Sequence, residues 1–353
     1  MKVLVSGGAG YIGSVMTKVL IEVGHDVTVF DNLSRGHRAA VSAPARLVVG
    51  DLGDVATLEQ AFVAARPECV MHFAGLAQVG ESVAKPDLYF DNNVTRGANL
   101  LEAAGRHRVK RFVFSSSAAV YGAPDRVPIS EDAPLAPINP YGKTKLTFES
   151  RLAEFAMTLD MNHAILRYFN VAGAYSGLGE DHRPETHLIP DILRTVLPES
   201  PKSMVHSPQS KVFELFGDDY PTKDGTNVRD YIHVLDLARA HLLAMETIED
   251  RDVIYNLGSE NGYSNREVFA TAEKVVGRKI PLKLGPRRAG DPPTLIASSE
   301  RIRKELGWKP EKNLEQMIAD AWAWHRSHPT GYPDEEYPQI TQITQMGSEP
   351  GPG

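Results

Sequence analysis

Along the first half of the chain, short apolar runs alternate with longer stretches in which apolar residues recur every three or four positions. KVLVSG, DVTVFD, RLVVGD, CVMHFAG, RFVFSSS and HAILRYFN are the runs up to about Phe169; YIGSVMTKVLIEVG, VATLEQAFVAAR and KTKLTFESRLAEFAMTL are among the stretches. A β-branched run bounded by Gly, Asp or Ser reads as a strand buried on both faces, and the 3.6-residue period reads as a helix. The alternation predicts βαβ units, and so an α/β fold with a doubly wound parallel sheet of the Rossmann kind.

After Asn170 the rhythm breaks into VAGAYSGLGEDHRPETHLIP, rich in Gly, Pro and His, which marks a crossing into a smaller mixed α/β domain. The Pro- and Ser-rich segment Leu197 to Lys211 reads as an exposed loop. DYIHVLDLARAHLLAM reads as a helix, and VIYNLG as a strand returning to the first domain. The expected division is 1–175 with a return at about 232–257, then 176–331, then a mobile tail at 332–353 with little core-forming pattern.

A chain of 353 residues has room for two unequal domains and a cleft between them. The net charge of -7 is mild, and no block of like charge advertises nucleic acid. The first apolar run stops at Ser6, too short for a secretory core, and no stretch reaches the ~18 to 20 apolar residues of a membrane span. The single cysteine, Cys69, forms no internal disulfide and is expected to pack; a cytoplasmic setting follows. No HExxH and no paired Cys/His spacing points to a metal, and the serine run lacks a G-x-S-x-G hydrolase elbow.

Gly7, Gly10 and Gly13 follow the first strand and open the first helix, where glycines permit a tight turn and close approach of backbone to a pyrophosphate. A glycine-rich turn also occurs without a ligand. Asp31 and Asn32 end the second strand, where a carboxylate accepts adenosine ribose hydroxyls and repels a 2′-phosphate, which favours NAD over NADP. Arg35 is read as a solvated loop cation, and Asp51 either approaches the adenine or forms a turn.

Ser115, Ser116 and Ser117 end an apolar strand, at the edge where parallel sheets bind ligands. Downstream, Tyr141 and Lys145 stand one turn apart on a helix. A phenol with a pKa near 10 needs a drop of about 3 units to act as a base at neutral pH, and a nearby ammonium favours the phenolate. Tyr-x-x-x-Lys is common on ordinary amphipathic helices, so the discriminating feature is its place after a glycine turn, an Asp-capped strand and a strand-end serine.

The order of GGAGYIG, DN, HFAGL, SSS, YGKTK and RYFN resembles the extended short-chain dehydrogenase/reductase superfamily. Within it, HFAGLAQVGESV, FSSSAAVYG, DYPTKDGTNVRDYIHV, PRRAGD and HPTGYPD resemble the UDP-glucose 4-epimerase family, from Met1 to about Pro333. The resemblance implies an NAD-dependent epimerase acting on a UDP-hexose. It assigns Tyr141 as the base at the sugar 4-hydroxyl, Ser117 as its hydrogen-bonding partner, and Lys145 to the nicotinamide ribose, lowering the tyrosine pKa. It further implies NAD contacts at Tyr11, Ile12, Leu52, Phe73, Ala74, Gly75, Asn92, Ser115 and Tyr168. Phe169, Asn170, His187, Phe216 and Leu295 would face the substrate, Arg229 and Arg288 would clamp its diphosphate, and Asp291 would meet the uridine ribose. The helices Thr95 to Arg106 and Tyr141 to Leu159 resemble those pairing in the family's homodimer.

Three positions depart from the family. Ala77 replaces a cofactor-contacting Lys, Thr186-His187 replaces an Asn pair, and Leu295 stands where some members carry Tyr and others a small residue. A nucleotide-sugar dehydratase would want an acidic pair after the strand-end serine, where Ala118-Ala119 stand. A non-catalytic NAD-sensing scaffold would tolerate loss of Tyr141 or Lys145, and both are present.

Overall fold

The six apolar runs form β1 (Lys2–Ser6), β2 (Asp26–Asp31), β3 (Arg46–Val49), β4 (Cys69–His72), β5 (Arg111–Ser117) and β6 (Asn162–Tyr168). The computed structural model describes residues 1–197, 212–249, 251–287 and 291–333. Later strands are β7 (Asn170–Ala172), β8 (Phe213–Phe216), β9 (Val228–His233), β10 (Val253–Leu257), β11 (Gly262–Ser264), β12 (Leu282–Gly285) and β13 (Thr294–Leu295). VIYNLG does return: β10 pairs in parallel with β6 and completes a seven-stranded sheet in the order β10-β6-β5-β4-β1-β2-β3.

Side chains of a strand point alternately to its two faces, so each strand feeds two cores. Val3 and Val5 of β1 join the core under α1 (Tyr11–Glu22) and the helix Val234–Thr247. Leu4 joins the core under α2 (Val55–Ala65) on the opposite face. The short α3 (Val79–Ala84) and α4 (Pro86–Phe90) lead into α5 (Gly97–Arg106), and α5 and α6 (Pro140–Leu159) complete that second layer. Cys69 is fully buried, and burial pushes its thiol up to about 12, so it is a packing residue.

The smaller domain is built on β9, which pairs with β7 and β13 in parallel and with β11 antiparallel; β8 and β12 form a separate parallel pair. Its core lies between these strands, α7 (Leu188–Arg194) and the helices Asn265–Val276 and Leu314–Ser327. The predicted helix DYIHVLDLARAHLLAM is shorter than expected, because Asp230–His233 belongs to β9. Asp230 is fully buried and accepts the amides of Ser259, Glu260 and Ala297, which holds its backbone in the sheet. The His233 ring then accepts the Leu235 amide at 3.0 Å and starts the helix.

The expected tail begins later than its pattern suggests. Tyr332 is buried, its ring stacks on His37 at 4.9 Å, and its hydroxyl accepts the Gly179 amide at 3.1 Å. Residues 334–353 and most of the expected loop, 198–211, lie outside the described residues. Among the described residues no helix is long and apolar enough to cross a membrane.

Candidate active site

The sheet's chain order reverses between β1 and β4, and the carboxyl ends of the strands there open into one cavity of about 380 Å³. This is the switch point at which doubly wound sheets take ligands. Gly7 forms the turn out of β1 at φ +76°, and a Cβ there would lie 2.4 Å from the Ala74 amide nitrogen. A Cβ on Gly13 would lie 2.2 Å from the Gly7 carbonyl oxygen. Glycine is therefore required at both by close backbone packing. Gly10 begins α1, and no side chain caps that helix end, which leaves its positive pole facing the cavity.

Asp31 and Asn32 line the same cavity. The Asp31 carboxylate accepts the Ala9 and Leu33 amides at 3.0 and 2.8 Å; burial pushes its carboxyl up, and these two amides oppose the rise. Asn32 donates to Asp51 at 2.7 Å, and Asp51 also accepts the Gly53 amide at 2.7 Å and Arg96 at 3.0 Å. Asp51 is thus both a turn former and a cavity residue. Arg35 differs from its reading as a solvated cation: it lies 3.1 Å from Glu81 and donates to the Arg183 carbonyl at 2.9 Å. Its charge is already matched, because the loop folds back onto α3.

The chemical end is assembled by α6, whose start is fixed by Asn139 accepting the Gly142 amide at 2.8 Å. Tyr141 and Lys145 project from it into the cavity beside Ser115 and Ser117 of β5. The Lys145 ammonium donates to the Ser115 carbonyl at 2.7 Å and lies 5.9 Å from the centre of the Tyr141 ring. Burial lowers Lys145 to about 8, with the Glu149 carboxylate opposing. The expected lowering of Tyr141 by Lys145 is not what the side chains by themselves produce. Burial pushes the phenol above its ordinary value, and the opposing influence is a hydrogen bond with Ser117.

One turn further along α6, Glu149 is held in a buried pair with Arg167, whose guanidinium also donates to the Tyr121 hydroxyl at 3.0 Å. Both side chains are about one-twentieth exposed. Glu149→Gln leaves the Arg167 charge buried without a counter-ion and is expected to destabilise the fold by ~3 to 5 kcal/mol. Urea unfolding of the two proteins measures the difference; a loss under ~1 kcal/mol would mean that the pair is not desolvated as its burial indicates.

Of the other expected cofactor contacts, Tyr11, Ile12, Leu52, Phe73, Ala74, Gly75, Asn92 and Tyr168 all line this cavity. Ser115 and Tyr168 are tied to each other through their hydroxyls. Of the expected substrate contacts, Phe169, Asn170 and His187 line it as well. Phe216, Arg229, Asp291 and Leu295 do not, and Arg288 lies outside the described residues. Arg229 pairs with the Asp291 carboxylate, whose second oxygen accepts Asn227 at 2.9 Å. The two residues expected to grip different parts of a UDP-sugar are here bonded to each other. Leu295 packs against a small apolar cluster that includes Phe169, Tyr121 and Ile129.

The structure adds residues that no sequence pattern singled out. Arg96, Tyr231, Glu180 and His182 line the cavity. Arg96 is approachable in hindsight through the i, i+5 pairing with Asp91. Tyr231 and Glu180 arrive by long-range packing, with no local signal.

The NAD dependent epimerase/dehydratase family matches residues 3–258. The chain is 49% identical over 340 residues to the UDP-glucose 4-epimerase of Lactobacillus helveticus, covering 95% of this chain and 100% of that one. It superposes with a TM-score of 0.85 on the crystal structure of UDP-glucose 4-epimerase from Brucella ovis in complex with NAD, at 42% identity over 92% of this chain and 98% of the other. The UDP-glucose 4-epimerase from Bifidobacterium longum in complex with NAD+ and UDP gives a TM-score of 0.87 at 38% identity, over 94% and 100% of the two chains.

Proposed function

Since the chain belongs to the NAD dependent epimerase/dehydratase family, we propose that it interconverts UDP-glucose and UDP-galactose by transient oxidation at C4, turning of the 4-keto sugar and re-reduction. The observation that carries this reading is the meeting of Tyr141, Lys145 and Ser117 with the glycine turn and Asp31 in one cavity. The absence of side chains at Gly7 and Gly13 lets backbone pack where any Cβ would clash, and Asp31 is anchored by two amides with lone pairs to spare; both features fit NAD. Bound NAD supplies the acceptor and donor of hydride.

Tyr141 takes the proton from the sugar 4-hydroxyl and returns it, Ser117 holds that oxygen, and Lys145 anchors the cofactor ribose and keeps positive charge near the phenol. Residues 1–175, with the return at about 232–257, hold the cofactor, and 176–331 hold the UDP-sugar. Arg229, Arg288 and Asp291 grip the UDP moiety once Arg229 and Asp291 exchange each other for ligand oxygens. Ala118 and Ala119, in a tight turn after β5, offer no carboxylate for a dehydration across C5 and C6, which disfavours the dehydratase reading. The deciding experiment incubates purified protein with UDP-galactose and follows UDP-glucose, with denatured protein assayed for released NAD and NADH. No product, or release of NADP(H) alone, sinks the proposal.

We further propose a cytoplasmic homodimer. Val83, Leu88 and Phe90 are exposed on α3 and α4, which pack against α6, so apolar surface lies next to the helices expected to pair. Light scattering at micromolar concentration is expected to give twice the chain mass of 38.7 kDa; a fully active monomer would show that pairing is dispensable.

The plain hexoses are the principal substrates, with lower activity on the N-acetyl pair. Leu295 bears on this choice through the apolar cluster it packs against, since Phe169 of that cluster also lines the cavity. Leu295→Tyr pushes that wall inward and is expected to lower N-acetyl turnover roughly tenfold more than plain-hexose turnover, a differential of ~1.4 kcal/mol. An unchanged ratio of the two rates would remove Leu295 from the specificity argument.

A further inference from the structure

Residues 180–187 run from the end of the small β-bridged turn at Leu178 to the start of α7, and they fold four ligand-type side chains onto one point. The His182 Nδ1 lies 3.1 Å from a Glu180 oxygen, and the His187 Nδ1 lies 2.9 Å from the same oxygen and 3.0 Å from Oε1 of Glu185. The second Glu185 oxygen, Oε2, stands 4.0 Å from His182 Nδ1. One atom from each of the four residues falls within 4.8 Å of all the others.

We propose that Glu180, His182, Glu185 and His187 bind one divalent transition-metal ion of the zinc class, which ties this loop to the cavity wall. Hydrogen bonding within the loop does not account for the whole arrangement. Glu185 has 4% of its side chain exposed, and its Oε2, aimed into the cluster, has no hydrogen-bond partner. Its other oxygen is fully used, by the amides of Thr186 and His187, both at 2.8 Å, and by the His187 ring. A buried carboxylate oxygen without a partner is costly, and a cation is the partner that satisfies it.

Charge and geometry agree with that occupant. Two carboxylates and two neutral imidazoles around a dication sum to zero, whereas without a metal the same balance requires both imidazoles to carry protons. Zinc to nitrogen or oxygen distances of about 2.0 to 2.2 Å put tetrahedral ligand atoms roughly 3.3 to 3.6 Å apart. The ligand-atom separations of 2.9 and 3.1 Å to the Glu180 oxygen and of 4.0 Å between His182 and Glu185 Oε2 bracket that spacing, and all four ligand atoms lie within 4.8 Å of one another, so side-chain rotations bring them into range. Imidazole with carboxylate suits zinc better than magnesium or calcium, which take oxygen ligands. Four protein ligands close the shell, making the ion a staple for the cavity wall that Glu180, His182 and His187 form, with no open position for chemistry. The absence of HExxH and of paired cysteines conceals such a site, because its spacing is E-x-H-x-x-E-x-H on a loop.

The test is independent of epimerase activity. The full-length protein is treated with chelator, dialysed, checked for native circular dichroism and titrated with Zn2+ alone by calorimetry; Co2+ is added to a parallel sample for its visible spectrum. The expected result is one ion per chain, a raised melting temperature and an intense tetrahedral Co2+ band. His182→Asn and Glu185→Gln are each expected to weaken Zn2+ binding by at least ~10²-fold, while His107→Asn, whose ring pairs with Glu59 and stacks on Phe62, leaves it unchanged. Binding well below one equivalent to the folded wild type, or equal affinity in wild type and both ligand variants, overturns the proposal; the wild-type titration decides even if a variant fails to fold.

Discussion

Tyr141→Phe is expected to lower turnover of UDP-galactose by ~10² to 10⁴ while leaving UDP binding within a few fold, because the ring and its packing stay and only the proton-accepting oxygen goes. The size of the effect follows from the surroundings. Burial holds the phenol above its ordinary value, and the nearest cation, Lys145, is engaged by the Ser115 carbonyl. The protein by itself therefore keeps Tyr141 protonated at neutral pH, and an oxidised cofactor, when bound, would add the further positive charge that favours the phenolate. Removing the oxygen removes the group that both this burial and this charge act upon. A steady-state assay of the variant, beside calorimetric titration with UDP, separates the two quantities. Near-normal turnover would reject Tyr141 as the base; equal losses in binding and turnover would make its role one of packing.

Gly13→Ala is expected to act on a different quantity, the hold on the cofactor. A single methyl at this position would sit 2.2 Å from the Gly7 oxygen and 2.9 Å from the Gly8 Cα, both backbone atoms that no side-chain rotation can clear. The first turn of α1 has to move away from the glycine turn, and the two together make the surface offered to a pyrophosphate. Overpacking of this kind costs ~1 to 3 kcal/mol, and if it falls on the binding conformation the NAD affinity drops up to ~10²-fold. The variant should purify with little bound NAD, and added NAD should restore activity only at high concentration. A variant that retains the cofactor through purification would show that the turn is not where the affinity resides. Gly10 provides the contrast, since a Cβ there would meet only the Gly7 oxygen at 3.4 Å.

The elements around the cofactor were legible because each rests on a local cause. β1 through β6 are apolar runs between turn residues, and all but the edge strand β3 are strands buried on both faces, which calls for a continuous apolar run. The glycine turn, Asp31 at the end of β2 and the Tyr141 and Lys145 spacing on α6 are likewise set within a few residues of sequence. DYIH misled because its residues suit either state, and the choice was made by amides of Ser259, Glu260 and Ala297 that reach Asp230 from distant parts of the chain. Tyr332 misled in the same way, since its burial depends on His37, Gly179 and Trp324.

The sequence by itself determined the parallel sheet and the cofactor turn, which follow from periodicity and short spacings, and singled out Tyr141 and Lys145 by their order after the glycine turn, Asp31 and the strand-end serine. Only the tertiary structure decided which charges meet. It set Arg35 against Glu81, closed Arg229 onto Asp291, raised rather than lowered the Tyr141 phenol, and gathered Glu180, His182, Glu185 and His187 on one point. The physical reason is common to all four. Burial and the distance to an opposite charge fix the state of an ionisable group, and both are properties of the packed chain that no local spacing specifies.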